Sequence, residues 1–129
     1  MKFMLMMNVK QGPYQLGGWS KDELKAHIGH KRQLNLELKG AGQFVDAQGL
    51  LGPDQARIVR ADDDGKPLVT DGPFAESKEF LAGFWMIDVK DADQAHAIAA
   101  RASAAPGPGG TPLNMPIEVR QVGAPPPTD

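Results

Sequence analysis

The first strand of the chain constrains the fold more than any other feature. The run Phe3-Met-Leu-Met-Met7 is apolar at both alternations of a β-strand. Side chains of a strand point alternately to the two faces of its sheet, so a strand with two apolar faces is covered on both sides. The run ends at Asn8 and Lys10, too early for a signal peptide, and no apolar run in the chain approaches membrane-spanning length. We therefore predict a doubly covered strand over 2–9 and no membrane association.

The elements predicted after this strand follow the order of a split βαβ fold. A helix opens at Ser20, where Glu23 has the spacing of a capping box, and runs to about Lys39. A second helix opens at Asp91 and runs to about Ala104. The other predicted elements are strands over 43–51, 56–61, 81–89 and 117–122 and a hairpin turn over 62–65. The order predicts an α+β, ferredoxin-like domain. Its two helices can cover only one sheet face, so a second copy of the chain is the economical cover for the other, and we predict a homodimer.

Composition is consistent with one compact domain over 1–122. The chain has 129 residues, of which 41% are hydrophobic, enough to bury a core without disulfides or metals. Residues 123–129 are proline-rich and are predicted to be disordered or a short polyproline segment. The chain has no cysteine, which excludes thiol catalysis and cysteine-bound zinc and favours a cytoplasmic location.

Charge and motifs exclude several classes of function. The formal net charge of −2, with both signs mixed, offers no basic surface for nucleic acid, and we predict no direct binding to it. The chain contains no P-loop, GxGxxG or GxSxG motif, so no cofactor is predicted. His27 and His30 lack the i, i+4 spacing of a helical metal pair, and we predict no metal site.

A rigid corner follows the apolar run that ends at Asp71. Gly72 can adopt backbone angles closed to other residues, Pro73 fixes its own φ, and Asp71 can accept hydrogen bonds from the amides that follow. The peptide resembles the signature of the DGPF-domain proteins of the YCII-related family in Asp71-Gly72-Pro73-Phe74-Ala75-Glu76-Ser77-Lys78-Glu79.

The resemblance covers roughly residues 1–122. It includes 1–9 as the first strand, the region from 41 to 53 around the second, and Ile117-Glu118-Val119-Arg120 in the last. It implies a ferredoxin-like domain that dimerises into an α+β barrel, in a family of mostly unassigned activity. Genes of DGPF proteins are often adjacent or fused to those of extracytoplasmic-function sigma factors, which implies a sigma factor as a partner.

A polar stripe on the first helix is the second candidate for function. Helical periodicity predicts an inward face formed by Leu24, Ile28, Leu34 and Leu38, and three polar side chains fall in the same sector: His27, Lys31 and Asn35. Buried, they would need partners, whereas a cavity between helix and sheet would let them face water or a ligand. The alternative is that His27 and Lys31 lie at a solvated edge.

The stripe and the corner together supply the candidate site residues. We predict His27 and Asp71 as an acid–base pair, and as ligand-binding residues Lys31, Asn35, Phe74 and Arg120. Each has a structural alternative. Asp71 can satisfy the amides of its own turn, Phe74 can fill the core, and Arg120 can form an ion pair with a carboxylate of the signature.

The predicted function is small-molecule binding in a pocket between helix and sheet, with His27 and Asp71 as possible proton-transfer groups. Whether the protein is an enzyme stays open, and the alternative is a non-catalytic regulatory or interaction module that acts with an extracytoplasmic-function sigma factor. In the related YCII subgroup the suspected acid–base pair includes an aspartate near a DPY-like segment. Residues 103–116 contain no aspartate, so that mechanism does not transfer.

Overall fold

The structure is a computed structural model that describes residues 1–10, 18–72 and 79–128. The predicted strands and helices appear in the predicted order, with boundaries that differ from prediction by at most two residues, and a further strand over Pro67–Asp71 was not predicted. The elements are β1 (Lys2–Lys10), α1 (Lys21–Gly40), β2 (Phe44–Gly49), β3 (Arg57–Ala61), β4 (Pro67–Asp71), β5 (Glu79–Asp88), α2 (Ala92–Ser103) and β6 (Ile117–Gln121).

Four strands form one sheet in the order β2-β5-β1-β6, and every neighbouring pair is antiparallel. The chain passes from β1 through α1 to β2, and β5 later lies between these two strands. From β5 the chain passes through α2 to β6, which pairs with the other edge of β1. This interleaving is the split βαβ arrangement. The chain is therefore α+β, with an antiparallel sheet and two helices, and is compatible with a ferredoxin-like fold.

The first helix begins where the capping box predicts. The Ser20 hydroxyl oxygen accepts from the Glu23 amide at 3.1 Å, and the Glu23 carboxylate accepts from the Ser20 amide at 2.9 Å. Glu23 also accepts from the Gly109 amide at 2.6 Å. These amide donors, led by that of Ser20, lower the pKa of the Glu23 carboxyl. One carboxylate thus satisfies the helix start and ties it to the loop that precedes β6.

The β3–β4 hairpin forms a separate two-stranded sheet. Its turn lies where the aspartate run predicts it, since the Asp62 carboxylate accepts from the amides of Asp64 and Lys66 and Gly65 has a φ of +80°. Apolar side chains of this hairpin remain exposed, among them Val59 and Val69, which face each other across the strands. The hairpin is an appendage to the main sheet.

The core lies on one face of the main sheet, beneath both helices. It unites residues of β1 and β5 with residues of the helices: Phe3, Leu5, Met7, Trp85, Ile87, Leu34, Leu38, Ala95, Ile98, Ala99 and Ala102. The intervening residues of β1 and β5 point to the opposite face and are only half-buried: Met4, Met6, Phe84 and Met86. The helices thus cover one apolar face of β1, and cover of its other apolar face stays a prediction.

The first helix presents a different face to the sheet than its periodicity predicts. Leu34 and Leu38 are buried, but Ile28 is 44% exposed and Leu24 is half-buried, so the prediction that these two face the core is wrong. The buried stripe instead continues through His27, which is 4% exposed. Positions separated by seven and four residues line up along a helix, so His27 shares one line with the two leucines.

Residues 122–128 follow β6 as coil, and 123–128 are exposed. Neither described helix combines the length and the hydrophobicity needed to cross a bilayer.

Candidate functional site

The polar stripe of α1 lies on the side of the helix that faces the sheet. His27 is buried, and Lys31 and Asn35 are half-buried. Their spacing of four residues puts them above one another on the helix surface. The predicted grouping of these three side chains is therefore present, and the alternative of a fully solvated edge does not describe His27.

A cavity lies between α1, the C-terminal half of β2 and the middle of β5, with a volume of about 160 Å³. Helix, strands and strand ends contribute to its lining, which consists of Met7, Lys31, Asn35, Ala47, Gln48, Gly49, Phe84 and Trp85. Two of the residues predicted to bind a ligand, Lys31 and Asn35, thus meet at one cavity.

The cavity exists because small residues meet on the helix-facing side of the sheet. Gly49 pairs with Gly83, and Ala47 pairs with Trp85 two residues further along, on the same face of the sheet. A Cβ at Gly83 would lie 2.9 Å from the Gln48 carbonyl oxygen, so this close approach of the backbones requires glycine. A Cβ at Gly49 would meet no atom within 4 Å. The floor beneath the helix therefore lacks the side chains that would fill it.

Lys31 brings a positive charge to this cavity. Its Nζ lies 4.0 Å from Met7 Sδ and 5.8 Å from the centre of the Trp85 ring, within the range of a cation–π contact. Burial lowers the pKa of Lys31 below its ordinary value. None of the ion pairs formed among the described residues involves Lys31. The ammonium group is thus partly desolvated without a carboxylate beside it in that part of the chain.

Asn35 is held in a defined orientation by Trp85. The Trp85 indole Nε1–H donates to Asn35 Oδ1 at 2.7 Å. An indole nitrogen can only donate, so the amide oxygen faces the tryptophan and the amide NH₂ is left as the donor group of Asn35. The bond also explains why a polar residue is placed opposite a tryptophan that is only 3% exposed.

His27 has a different environment from Lys31 and does not line the cavity. Its Nδ1 lies 3.0 Å from the Pro106 carbonyl oxygen, which can only accept, so Nδ1 carries the proton. Its ring meets the Trp19 ring edge-on at 5.1 Å. The buried Nε2 has no hydrogen-bond partner among residues 1–10, 18–72 and 79–128. Burial, and then the charge of Lys31, lower the pKa of His27 and favour the neutral ring.

Asp71 lies at the end of the exposed hairpin. Its carboxylate is 3.6 Å from Arg57 Nε, and its side chain is 96% exposed. The hydrogen bonds of the described residues do not join it to His27, whose partner is Pro106. The acid–base role of the pair stays a prediction, and Asp71 is not among the residues that line the cavity.

The last two predicted ligand-binding residues also lie apart from the cavity. Arg120 pairs in register with Met4, on the sheet face opposite the helices, and its Nε lies 3.8 Å from Glu118. Among the described residues its ion pair is with this neighbour in β6. Phe74 falls outside the described residues, together with most of the signature peptide.

Sequence reasoning missed the cavity floor. Gly49 and Gly83 each carry a weak signal, since a glycine inside a strand often marks close backbone approach. Only the strand register shows that they lie side by side. Within the described segments no three His, Asp or Glu side chains converge as a metal site would require, and His30 Nε2 lies 2.7 Å from the Arg101 carbonyl oxygen instead.

Comparison with known proteins identifies relatives of the chain. The family model of the YCII-related domain matches residues 1–109. An uncharacterized protein of Rhizobium meliloti (strain 1021) is 34% identical over 77 residues, which are 60% of this chain and 61% of that protein. The chain thus spans less than two thirds of that relative. The family match, the resemblance of the corner peptide and the split βαβ sheet agree, and the chain belongs to the YCII-related family.

Proposed function

We propose that the protein binds a small molecule in the cavity between α1 and the sheet. The observation that carries the proposal is a partly desolvated ammonium group, that of Lys31, which forms no ion pair with the residues that the structure describes and lies at a cavity that small strand residues leave open. Concave sites lined by aromatic and apolar side chains, with a few oriented polar groups, are typical of ligand binding. Asn35, fixed by Trp85, is such an oriented group.

A cavity-filling variant tests this proposal. Gly49→Leu should place a side chain in the cavity without meeting the backbone, because a Cβ there has no neighbour within 4 Å. A metabolite library is screened by thermal shift and by ligand-observed NMR against the wild type and this variant. We expect ligands that bind the wild type and not Gly49→Leu. The matched control is Gly123→Leu in the exposed tail, which should bind as the wild type does. Ligands that bind all three proteins equally would contradict the proposal.

We further propose that two copies pair through the sheet face that the helices leave free. The supporting residues are the half-buried apolar side chains of β1 and β5 on that face: Met4, Met6, Phe84 and Met86. A two-fold pairing would bring this patch against its own copy and complete an α+β barrel. The patch is apolar at its centre and has Glu118 and Arg120 beside it on β6.

Light scattering after gel filtration tests the dimer. The wild type should have twice the mass of one chain, and Met6→Glu should be a monomer because two carboxylates would be buried face to face. Val59→Glu, on the exposed hairpin, makes the same kind of change away from this face and should remain dimeric. A monomeric wild type, or a dimer that survives Met6→Glu, would contradict the pairing.

Binding in the cavity does not require Asp71. Acid–base catalysis by His27 and Asp71 stays a prediction from the sequence, and so does association with an extracytoplasmic-function sigma factor.

A further inference from the structure

The lining of the cavity is selective in charge. Among the described residues that line it, Lys31 carries the only charge, and none of them is an aspartate or glutamate. The other oriented donor is the Asn35 amide, whose oxygen is already committed to Trp85. Gln48 also borders the cavity, but it pairs in register with Phe84, and its side-chain amide donates to Asp46 Oδ1 at 3.2 Å. The groups at the cavity therefore favour a ligand that accepts hydrogen bonds and carries negative charge.

The partial burial of Lys31 also favours a negatively charged ligand. A desolvated ammonium group is costly unless an opposite charge accompanies it. The Trp85 ring, 5.8 Å from Nζ, compensates for part of this cost through its π face. A carboxylate that entered the cavity would supply a counter-charge that the described residues do not provide, and Asn35 could donate to one of its oxygens.

The remaining walls set the size and shape of the ligand. Trp85, Met7 and Ala47 provide aromatic and aliphatic surface around the polar groups. The volume of about 160 Å³ is close to that of a cavity of roughly 150 Å³ that binds benzene. A single ring with one small substituent matches this space.

We infer that the cavity accepts a small carboxylate with a flat apolar body of about one ring, whose carboxylate lies between Lys31 Nζ and the Asn35 amide. This inference rests on the proposed function and adds the chemical class of the ligand. Nothing in it depends on Asp71 or on a chemical step.

Three ring compounds of nearly equal size separate charge from shape. Benzoate, benzamide and benzylamine are titrated into the ¹⁵N-labelled protein, and the indole N–H signal of Trp85 is followed, assigned with Trp19→Phe. We expect benzoate to shift the signal with a dissociation constant of roughly millimolar or below, as expected for a ligand of this size. Benzamide should bind at least about 10-fold more weakly, because it lacks the charge that pairs with Lys31. Benzylamine should bind more weakly still.

Two variants test the assigned contacts. Lys31→Met keeps an apolar stem of similar length and should weaken benzoate binding by roughly 10- to 100-fold, the usual loss for hydrogen bonds to a charged group. Asn35→Asp keeps an acceptor for the Trp85 indole but places a carboxylate one helical turn from Lys31, so it should also weaken benzoate binding. Lys25→Met removes an exposed lysine of the same helix and should bind benzoate as the wild type does. Unchanged backbone spectra establish that each variant is folded.

The outcomes distinguish this inference from the proposed function. Benzamide that binds as tightly as benzoate, or benzoate binding that survives Lys31→Met, overturns the charge assignment. If Gly49→Leu still abolishes the binding of these ring compounds, the cavity remains the binding site and only the proposed ligand class is wrong. Absence of a benzoate-induced shift up to about 10 mM, where a one-ring fragment should bind, overturns the inference as well. The metabolite screen then decides separately whether the cavity binds anything.

Discussion

The two helices pack on the same face of the sheet with contrasting chemistry. α2 buries only apolar side chains, namely Ala95, Ile98, Ala99 and Ala102. α1 buries His27 along with Leu34 and Leu38, and turns Lys31 and Asn35 toward the sheet. An apolar stripe needs only close packing, whereas each polar group removed from water needs a partner. The contrast separates a helix that serves the core from one that also forms a cavity.

The partners of the α1 groups sharpen this contrast. Asn35 is satisfied by Trp85 and His27 by Pro106 at one nitrogen. Lys31 forms no ion pair with the described residues. Two members of the stripe therefore have structural roles that the fold itself explains. Lys31 is the member whose partial burial is least explained by contacts among the described residues, which is why our proposals are centred on it.

The largest expected effect compares one substitution on the two helices. Ile98→Ala removes a core side chain that is 6% exposed and should lower the free energy of unfolding by about 2–5 kcal/mol. Ile28→Ala makes the same change on α1, where the side chain is 44% exposed, and should cost less than about 1 kcal/mol. Urea unfolding of both variants measures the difference. Equal losses would mean that α1 buries the face predicted by its periodicity.

The second prediction concerns the bond that fixes Asn35. Asn35→Leu should cost about 1–3 kcal/mol, because the buried Trp85 indole N–H would lose its acceptor. Asn35→Asp retains an acceptor oxygen and should remain closer to the wild type in stability. Urea unfolding gives the stability, and hydrogen exchange at the indole N–H reports the bond directly. If the leucine variant is as stable as the wild type and its indole is as protected, the bond contributes no net stability.

The third prediction uses the lowered pKa of His27. Because its folded pKa lies below the ordinary 6.5, the unfolded chain binds more protons as the pH falls through this range. Stability from the neutral, buried ring is present above 6.5 and is lost progressively as the pH falls below 6.5 toward the folded pKa. His27→Asn retains an N–H group near Nδ1 but does not titrate, so its stability profile should be flatter.

Melting temperatures measured from neutral to acidic pH test this account. His96→Asn, the same change at an exposed position of α2, serves as the matched control and should keep the wild-type slope. A His27→Asn profile parallel to that of the wild type would show that another group causes the acid sensitivity.

Local signals predicted the elements well, and long-range pairing limited the rest. Ser20 and Glu23 identify the start of α1, because a capping box is formed within four residues. The floor of the cavity depends on Gly49 lying beside Gly83, a register set by pairing between strands that are far apart in sequence. The stripe of α1 was predictable as a group, but its direction was not, since the helix could turn either neighbouring sector toward the sheet.

The smallest expected change in stability is that of Asp71→Ala. Asp71 lies on the exposed hairpin, away from the cavity. The corner peptide suggested that Asp71 satisfies buried amides, which would make Asp71→Ala cost about 1–3 kcal/mol. In the structure the side chain is 96% exposed and 3.6 Å from Arg57, itself half exposed, and exposed ion pairs contribute little. We therefore expect a loss of no more than about 0.5 kcal/mol, together with unchanged benzoate binding. Arg57→Ala should lower the free energy of unfolding by the same amount as Asp71→Ala, if the ion pair is the main contact of Asp71. A loss of several kcal/mol, confined to Asp71→Ala, would restore a structural role for Asp71 at the corner, because only buried partners produce a penalty of that size.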